Sequence, residues 1–292
     1  MKFIRPKPLQ KGDTIGIVSP SSPLTKSIDS AIDYLQKLGF KLKFGAHFEN
    51  KNRFLAGSDD ERAEDLMVFF EDPAVKAIIA SRGGQGSQRL LPLLDYTIIA
   101  KNPKILVGFS DTTALQLGLL KKTGLVSYTG YTLTIPLTPL IQESFLSCVM
   151  NRPYLIKGGE SVNCGVVEGE LVGGNLSLLT SLMGTPYEPD FRKKILLLED
   201  VGIEPFNIDR MISHLDLAGV FQQVSGIIMG QFTDCISIES DAGTIDDVIN
   251  EWTFGFKVPC IKNFPYSHGQ NSCVLPIGGS VILDANHACL SF

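Results

Sequence analysis

PKILVGFSDTTALQLGLLKKTG, residues 103–124, changes its periodicity in the middle. Ile105, Leu106 and Val107 form a continuous apolar run, the pattern of a strand buried on both faces. From Asp111 to Lys122 the apolar residues recur at helical spacing, and Gly124 supplies a stop. A buried strand feeding straight into a helix is half of a parallel βαβ unit. Ser110 stands at the join, where two readings compete. Ser110 or Asp111 could cap the helix, or the serine could be a nucleophile held up on a tight turn. The Gly-x-Ser-x-Gly elbow is half present: Gly108 is there, and Thr112 replaces the second glycine. Locally, both readings stay open.

The same alternation extends in both directions. Residues 13–18 (DTIGIV) read as a strand ending in the turn-forming Ser19-Pro20-Ser21-Ser22-Pro23. A helix is predicted over 27–38 from Ile28, Ala31, Ile32, Leu35 and Leu38, stopped by Gly39. Residues 41–44 are a second strand, and 59–70 a helix with acids in its first turn. Residues 74–80 form a buried strand running into Arg82-Gly83-Gly84-Gln85-Gly86, with a helix-like segment at 87–94. Such repeats predict a parallel α/β sheet, Rossmann-like or flavodoxin-like, with helices on both faces. Ligands then gather at the carboxyl ends of its strands. Three loops fall there: 19–23, 82–86 and 108–111.

Breakers crowd the next stretch: Pro136, Pro139, Pro153, Gly158 and Gly159. They predict an N-terminal domain over 1–135, a linker over 136–165 and a C-terminal domain over 166–292. In the latter, 166–175 and 195–198 read as strands, the second ending in Glu199-Asp200. Residues 208–217 have amphipathic helical spacing, and 224–229 and 280–283 are further strands. The second domain is therefore expected to be mixed α+β.

The chain of 292 residues suits two domains. With 44% hydrophobic and 20% charged residues it has a globular balance. A net charge of −5 and a pI near 5.4, with no basic block, argue against nucleic-acid binding. The six cysteines form no Cys-x-x-Cys pair and read as thiols of a reducing compartment. The N-terminal stretch lacks a signal peptide's apolar core, and no apolar run reaches the roughly 18 residues of a membrane span. A cytoplasmic enzyme is the expectation.

The loop 82–86 is not a dinucleotide fingerprint, since the third glycine would fall at Arg89, and no Gly-Lys-Ser/Thr follows for a Walker loop. It could be a plain turn, or it could present bare N–H groups to an anion. A serine nucleophile needs a base, and there are four histidines: His47, His214, His268 and His287. His268 lies in a turn-rich loop after the apolar run 258–261, a fair position for a base. Glu199 lies at a strand end, where an orienting acid would fit; it could equally be a solvated strand terminus. No His/Asp/Glu cluster has metal-ligand spacing, so a metal is not expected.

Taken together, the motifs resemble the LD-carboxypeptidases, a serine peptidase family that includes muramoyl-tetrapeptide carboxypeptidases and microcin C self-immunity peptidases. The resemblance runs from residues 9–22 (LQKGDTIGIVSPSS) through Ala56-Gly57-Ser58-Asp59, Arg62-Ala63, Arg82-Gly83-Gly84 and Asn102-Pro103-Lys104. It continues through residues 108–115 (GFSDTTAL), Gly173-Gly174-Asn175-Leu176, Leu198-Glu199-Asp200 and Asp209-Arg210-Met211. It closes on His268-Gly269 and Leu275-Pro276-Ile277-Gly278. The resemblance implies Ser110 as nucleophile, His268 as base and Glu199 as its orienting acid, with a catalytic cleft between the N-terminal and C-terminal domains. It also implies an oxyanion hole from the N–H groups of Asp111 and Gly84. Arg82, Gly83 and Asn175 are expected to touch substrate. The implied substrate is a murein tetrapeptide losing its terminal D-alanine in cell-wall recycling, with no cofactor and a homodimer by analogy. Two alternatives stand beside it. One is a self-immunity peptidase acting on peptidyl or aminoacyl nucleotides, although the single tryptophan, Trp252, lies outside the three N-terminal loops. The other is a non-catalytic ligand-binding protein. The chain departs from the family pattern at Gln85, where tyrosine is common, and at Ser267, where glycine is. It departs again at Thr129-Gly130-Tyr131, where His-Gly-Pro is frequent.

Overall fold

The computed structural model describes residues 3–239 and 243–292; Met1 and Lys2, which open the charged N-terminal stretch, lie outside them. Chain order gives β1 (Thr14–Val18), α1 (Asp29–Lys37), β2 (Lys41–Phe44), α2 (Asp59–Glu71), β3 (Val75–Ala80), α3 (Tyr96–Lys101), β4 (Ile105–Gly108), α4 (Thr112–Thr123), β5 (Ser127–Thr129) and α5 (Pro139–Val149). Then come β6 (Leu155–Lys157), β7 (Glu160–Asn163), β8 (Val166–Asn175), α6 (Leu176–Leu182), β9 (Ile195–Val201), α7 (Pro205–Leu217), β10 (Gly226–Thr233), α8 (Ile245–Gly255), β11 (Cys260–Lys262), β12 (Leu275–Ile277), β13 (Ser280–Asp284) and β14 (Cys289–Ser291). Two compact units result. One holds Met1–Arg152 with Val274–Gly278, the other Pro153–Cys273 with Gly279–Phe292.

In the first unit the strands lie in the order β2-β1-β3-β4-β5, all parallel. This is the flavodoxin-like order, whose switch point falls between β1 and β3. The central strands are apolar throughout because helices cover both faces: Ile15, Ile17, Ile78, Ile79 and Val107 are all 0% exposed. The segment at 87–94 is a 3₁₀ turn over Ser87–Leu93 rather than an α-helix, because Pro92 lies inside it and removes a donor. The returning strand β12 pairs antiparallel with β5, Pro276 opposite Tyr128.

In the second unit β8, β9, β10 and β11 are parallel neighbours, and β7 closes the edge antiparallel to β11. The long β8 serves two sheets. Its end from Leu171 pairs with β9, and its start pairs antiparallel with β13, followed by β14 and β6. This is the mixed α+β architecture that the strand pattern predicted.

The linker expected over 136–165 holds α5, β6 and β7 instead. Pro139 opens α5 at its first turn, where proline costs no hydrogen bond, and the Thr138 hydroxyl caps it by accepting from the Ile141 N–H. Gly158 and Gly159, both at positive φ, make the turn between β6 and β7. The breakers mark an element start and the turn that carries the chain from β6 into β7, and the first unit extends to Arg152.

Candidate active site

In the first unit the chain leaves β4 and enters α4 through Phe109-Ser110-Asp111. Ser110 sits at φ 63°, a left-handed conformation that costs a non-glycine residue about 1–3 kcal/mol. No side chain caps the N-terminus of α4, so the capping explanation for Ser110 and Asp111 does not hold. The turn is tight enough that a Cβ on Gly108 would lie 2.3 Å from Thr112 Oγ1, which is why the first glycine of the elbow is needed. Ser110 itself is half-buried.

The neighbouring loops close around this elbow. Gly83 is buried, and a Cβ there would lie 2.9 Å from Ser110 Cβ. Gly84 is exposed at φ 115°, and its Cβ would meet Ser22 Oγ at 2.3 Å. The Ser22 hydroxyl accepts from the Gln85 N–H at 3.1 Å, and the Ser22 N–H donates to Gly83 O at 3.3 Å. Arg82 Nη1 donates to Pro23 O at 2.9 Å, tying its guanidinium to the loop after β1. The fully buried Asp111 carboxylate accepts from Ser21 Oγ at 2.5 Å, Ser87 N at 2.8 Å and Gly86 N at 3.0 Å. Beneath lies Arg62, 1% exposed. It donates to Pro20 O and Gly86 O and pairs with Asp59. Burial pulls the Arg62 guanidinium pKa down, and the carboxylates of Asp59 and Asp111 hold it up.

In the second unit Glu199 is the fifth residue of β9 and is 0% exposed, so it is no solvated strand end. Its Oε2 lies 2.7 Å from His268 Nδ1, and its Oε1 accepts from Asn175 Nδ2 at 3.2 Å. Burial pushes the Glu199 carboxyl up from its ordinary pKa, opposed by the hydrogen bond to His268. An ionised carboxylate at this distance favours the tautomer with the proton on Nδ1, which in the neutral ring leaves Nε2 as the lone-pair nitrogen. Glycine at position 230 makes room for this pair, since a Cβ would lie 2.4 Å from Tyr266 O and 3.1 Å from Glu199 Cβ. Ser267 organises the histidine loop: its hydroxyl accepts from the Gly269 N–H at 3.1 Å and donates to Asn271 O at 3.3 Å.

Asn175 is 3% exposed and its side chain is spent within the fold. Nδ2 also donates to Asp200 Oδ1 at 2.9 Å, and Oδ1 caps α6 by accepting from Leu178 N at 3.2 Å. Asp200 in turn accepts from Ser177 N at 2.9 Å and Ser177 Oγ at 2.6 Å. Local pattern did not reveal these roles of Asp111, Arg62 and Asp200. Their only signal was membership of motifs lying in the quoted resemblance.

The other histidines have ordinary surroundings. His47 Nδ1 lies 3.1 Å from Asp65, His287 pairs with Asp284 at the surface, and His214 is exposed on α7. Among the described residues, no three His, Cys, Asp or Glu side chains gather as a metal-ligand set. No helix among them is long and apolar enough to cross a membrane.

Comparison with known proteins gives the family. Residues 15–130 match the LD-carboxypeptidase N-terminal domain and residues 168–283 the LD-carboxypeptidase C-terminal domain. The "Probable murein peptide carboxypeptidase" of Bacillus subtilis is 36% identical, covering 96% of this chain and 91% of that protein. The microcin C7 self-immunity protein MccF of Escherichia coli is 32% identical, covering 97% and 94%. A solved structure of microcin C7 self-immunity protein MccF in complex with aspartyl sulfamoyl adenosine superposes with a TM-score of 0.88 at 31% identity. It covers 98% of this chain and 97% of that one. The chain belongs to the LD-carboxypeptidase family of peptidases.

Proposed function

We propose that this protein is a serine-type LD-carboxypeptidase that releases the terminal D-alanine of murein tetrapeptides. The observation that carries the triad is the fully buried Glu199 carboxylate held 2.7 Å from His268 Nδ1. A buried carboxylate is expensive unless it is paired and hydrogen-bonded; its partners here are His268 and Asn175, and a carboxylate on Nδ1 is placed to orient a base. The strained, half-buried Ser110 at φ 63° supports the nucleophile role.

In this reading His268 Nε2 takes the Ser110 hydroxyl proton as Oγ attacks the scissile carbonyl. The oxyanion of the tetrahedral intermediate accepts from the N–H groups of Asp111 and Gly84, each donor worth about 2.7–4 kcal/mol of barrier. His268 then gives the proton to the leaving amine, and D-alanine departs. Water, deprotonated by His268, attacks the acyl-serine and restores the enzyme. Glu199 stabilises the imidazolium throughout. The reading requires the Ser110 hydroxyl to come within hydrogen-bond reach of His268 Nε2. It also carries a cytoplasmic setting in peptidoglycan recycling and a homodimer.

The test measures D-alanine release from a murein tetrapeptide. Ser110→Ala and His268→Ala are each expected to abolish it, with thermal melts preserved. Full activity in either folded variant removes the triad. The similarity to MccF supports a second substrate class, the aminoacyl or peptidyl nucleotides. Assaying both substrates side by side decides: a kcat/KM higher for the nucleotide conjugate overturns the murein assignment and leaves the serine chemistry standing.

A further inference from the structure

We propose that the side chain of Asp111 is a positioning residue that sets the spacing of the two oxyanion donors; this rests on the serine-peptidase reading above. The two N–H groups come from different loops, Gly84 after β3 and Asp111 on the elbow after β4. An oxyanion hole works only if its donors are held in place before the charge develops. The residue that supplies one donor also grips the loop that supplies the other. Its carboxylate takes the N–H of Gly86 at 3.0 Å and of Ser87 at 2.8 Å, just after Gly84 in the chain. Ser87 Oγ returns a hydrogen bond to Asp111 O at 2.5 Å.

The third loop joins through Ser21 Oγ, which donates to the same carboxylate at 2.5 Å. Ser22, next in the chain, accepts from Gln85 N at 3.1 Å and stands where a Gly84 Cβ would be. Gly84 is thus held from both sides by groups that lead back to Asp111. A carboxylate at 0% exposure needs compensation. The buried Arg62 supplies positive charge nearby and donates to Pro20 O and Gly86 O, reinforcing the same two loops. The side chain does not cap α4. Its bonds from Ser21, Gly86 and Ser87 run between the loops around Ser110.

The test is Asp111→Asn, which keeps the shape and one acceptor but turns an amide N–H₂ toward donors. Displacing one donor predicts a kcat loss of about 10²–10³-fold, with KM within roughly three-fold because ground-state binding is not the target. The inhibition constant of a peptide boronate, a tetrahedral mimic, should weaken in parallel with kcat, a correlation that mere loss of stability would not produce. Should the Asn variant fail to fold, Ser21→Ala with Ser87→Ala keeps the carboxylate, removes its bond from Ser21 Oγ and removes the bond from Ser87 Oγ to the Asp111 carbonyl; kcat and boronate affinity are again expected to fall together. A folded Asn variant or serine double variant with kcat within two-fold of the parent overturns the proposal, as does a loss confined to KM. Ser110→Ala is measured alongside. If it stays active the serine reading itself fails; if it is dead while Asp111→Asn is fully active, only the positioning role fails.

Discussion

Gly83→Ala isolates the geometry of the elbow. Gly83 has no positive φ, so the backbone accepts alanine and only space is at issue. The added Cβ would lie 2.9 Å from Ser110 Cβ, 3.2 Å from Ser110 Oγ and 3.2 Å from Phe109 O. Carbon–carbon contacts rest at about 3.5–4.0 Å. Ser110 and Gly83 must therefore separate by roughly 0.6–1.1 Å. Neither side gives easily: Ser110 is on a strained turn, and Gly83 O is tied to Ser22 N at 3.3 Å. A misplacement of about 1 Å costs on the order of 10²-fold in rate, or about 2.7 kcal/mol at 1.36 kcal/mol per decade. Overpacking of this kind lowers stability by about 1–3 kcal/mol. Steady-state kinetics of D-alanine release, the rate of Ser110 labelling by a fluorophosphonate and a thermal melt read the three quantities. Gly255→Ala is the control: that glycine ends α8, has no heavy atom within 4 Å of the added Cβ, and should leave kcat unchanged. A folded Gly83→Ala protein with parental kcat and labelling rate would refute the placement of Ser110 as the reacting group.

Two further outcomes follow from burial. Glu199→Gln should reduce kcat by about 10⁴-fold, because an amide N–H₂ facing Nδ1 favours the wrong imidazole tautomer. Its stability effect has a sign set by pH. Burial raises the folded pKa of Glu199 above its unfolded value of about 4.3. Its stabilising contribution is therefore complete below that value and is lost as pH rises through the folded pKa. The parent should lose stability relative to Glu199→Gln as pH climbs from 4 to 8, and melts showing the reverse slope would contradict the burial cost. Among the six cysteines only Cys164 is exposed, and burial drives the Cys260 thiol up to about 12 and the Cys273 thiol higher still. Alkylation of the native protein should label Cys164 alone by mass spectrometry, with all six labelled in denaturant; early labelling of Cys273 would count against the buried placement of the segment leading into β12.

Much of the first unit was legible because its signals are local. Residues 41–44 and 105–107 carry their strand character in their own side chains, and β1 to β4 alternate with helices at short range. The second unit was harder to delimit. Pro139 and the Gly158-Gly159 pair read as breakers, whereas they start α5 and turn the chain from β6 into β7, two strands of different sheets. A proline looks the same in a linker and at a helix's first turn; what distinguishes them is whether a buried face follows.

The sequence by itself determined the parallel α/β core, its three strand-end loops and the identity of Ser110, Glu199 and His268 as candidates, because apolar periodicity and glycine placement act over a few residues. Only the tertiary structure decided that Ser110 is strained rather than capping, that Glu199 is buried against His268, and that one carboxylate, Asp111, ties three loops together. Those facts depend on hydrogen bonds and close approaches between residues far apart in the chain, such as Asp111 with Ser21 and Glu199 with His268. No local propensity encodes which distant donor a buried carboxylate will find; that is fixed when the strands that carry them are laid side by side.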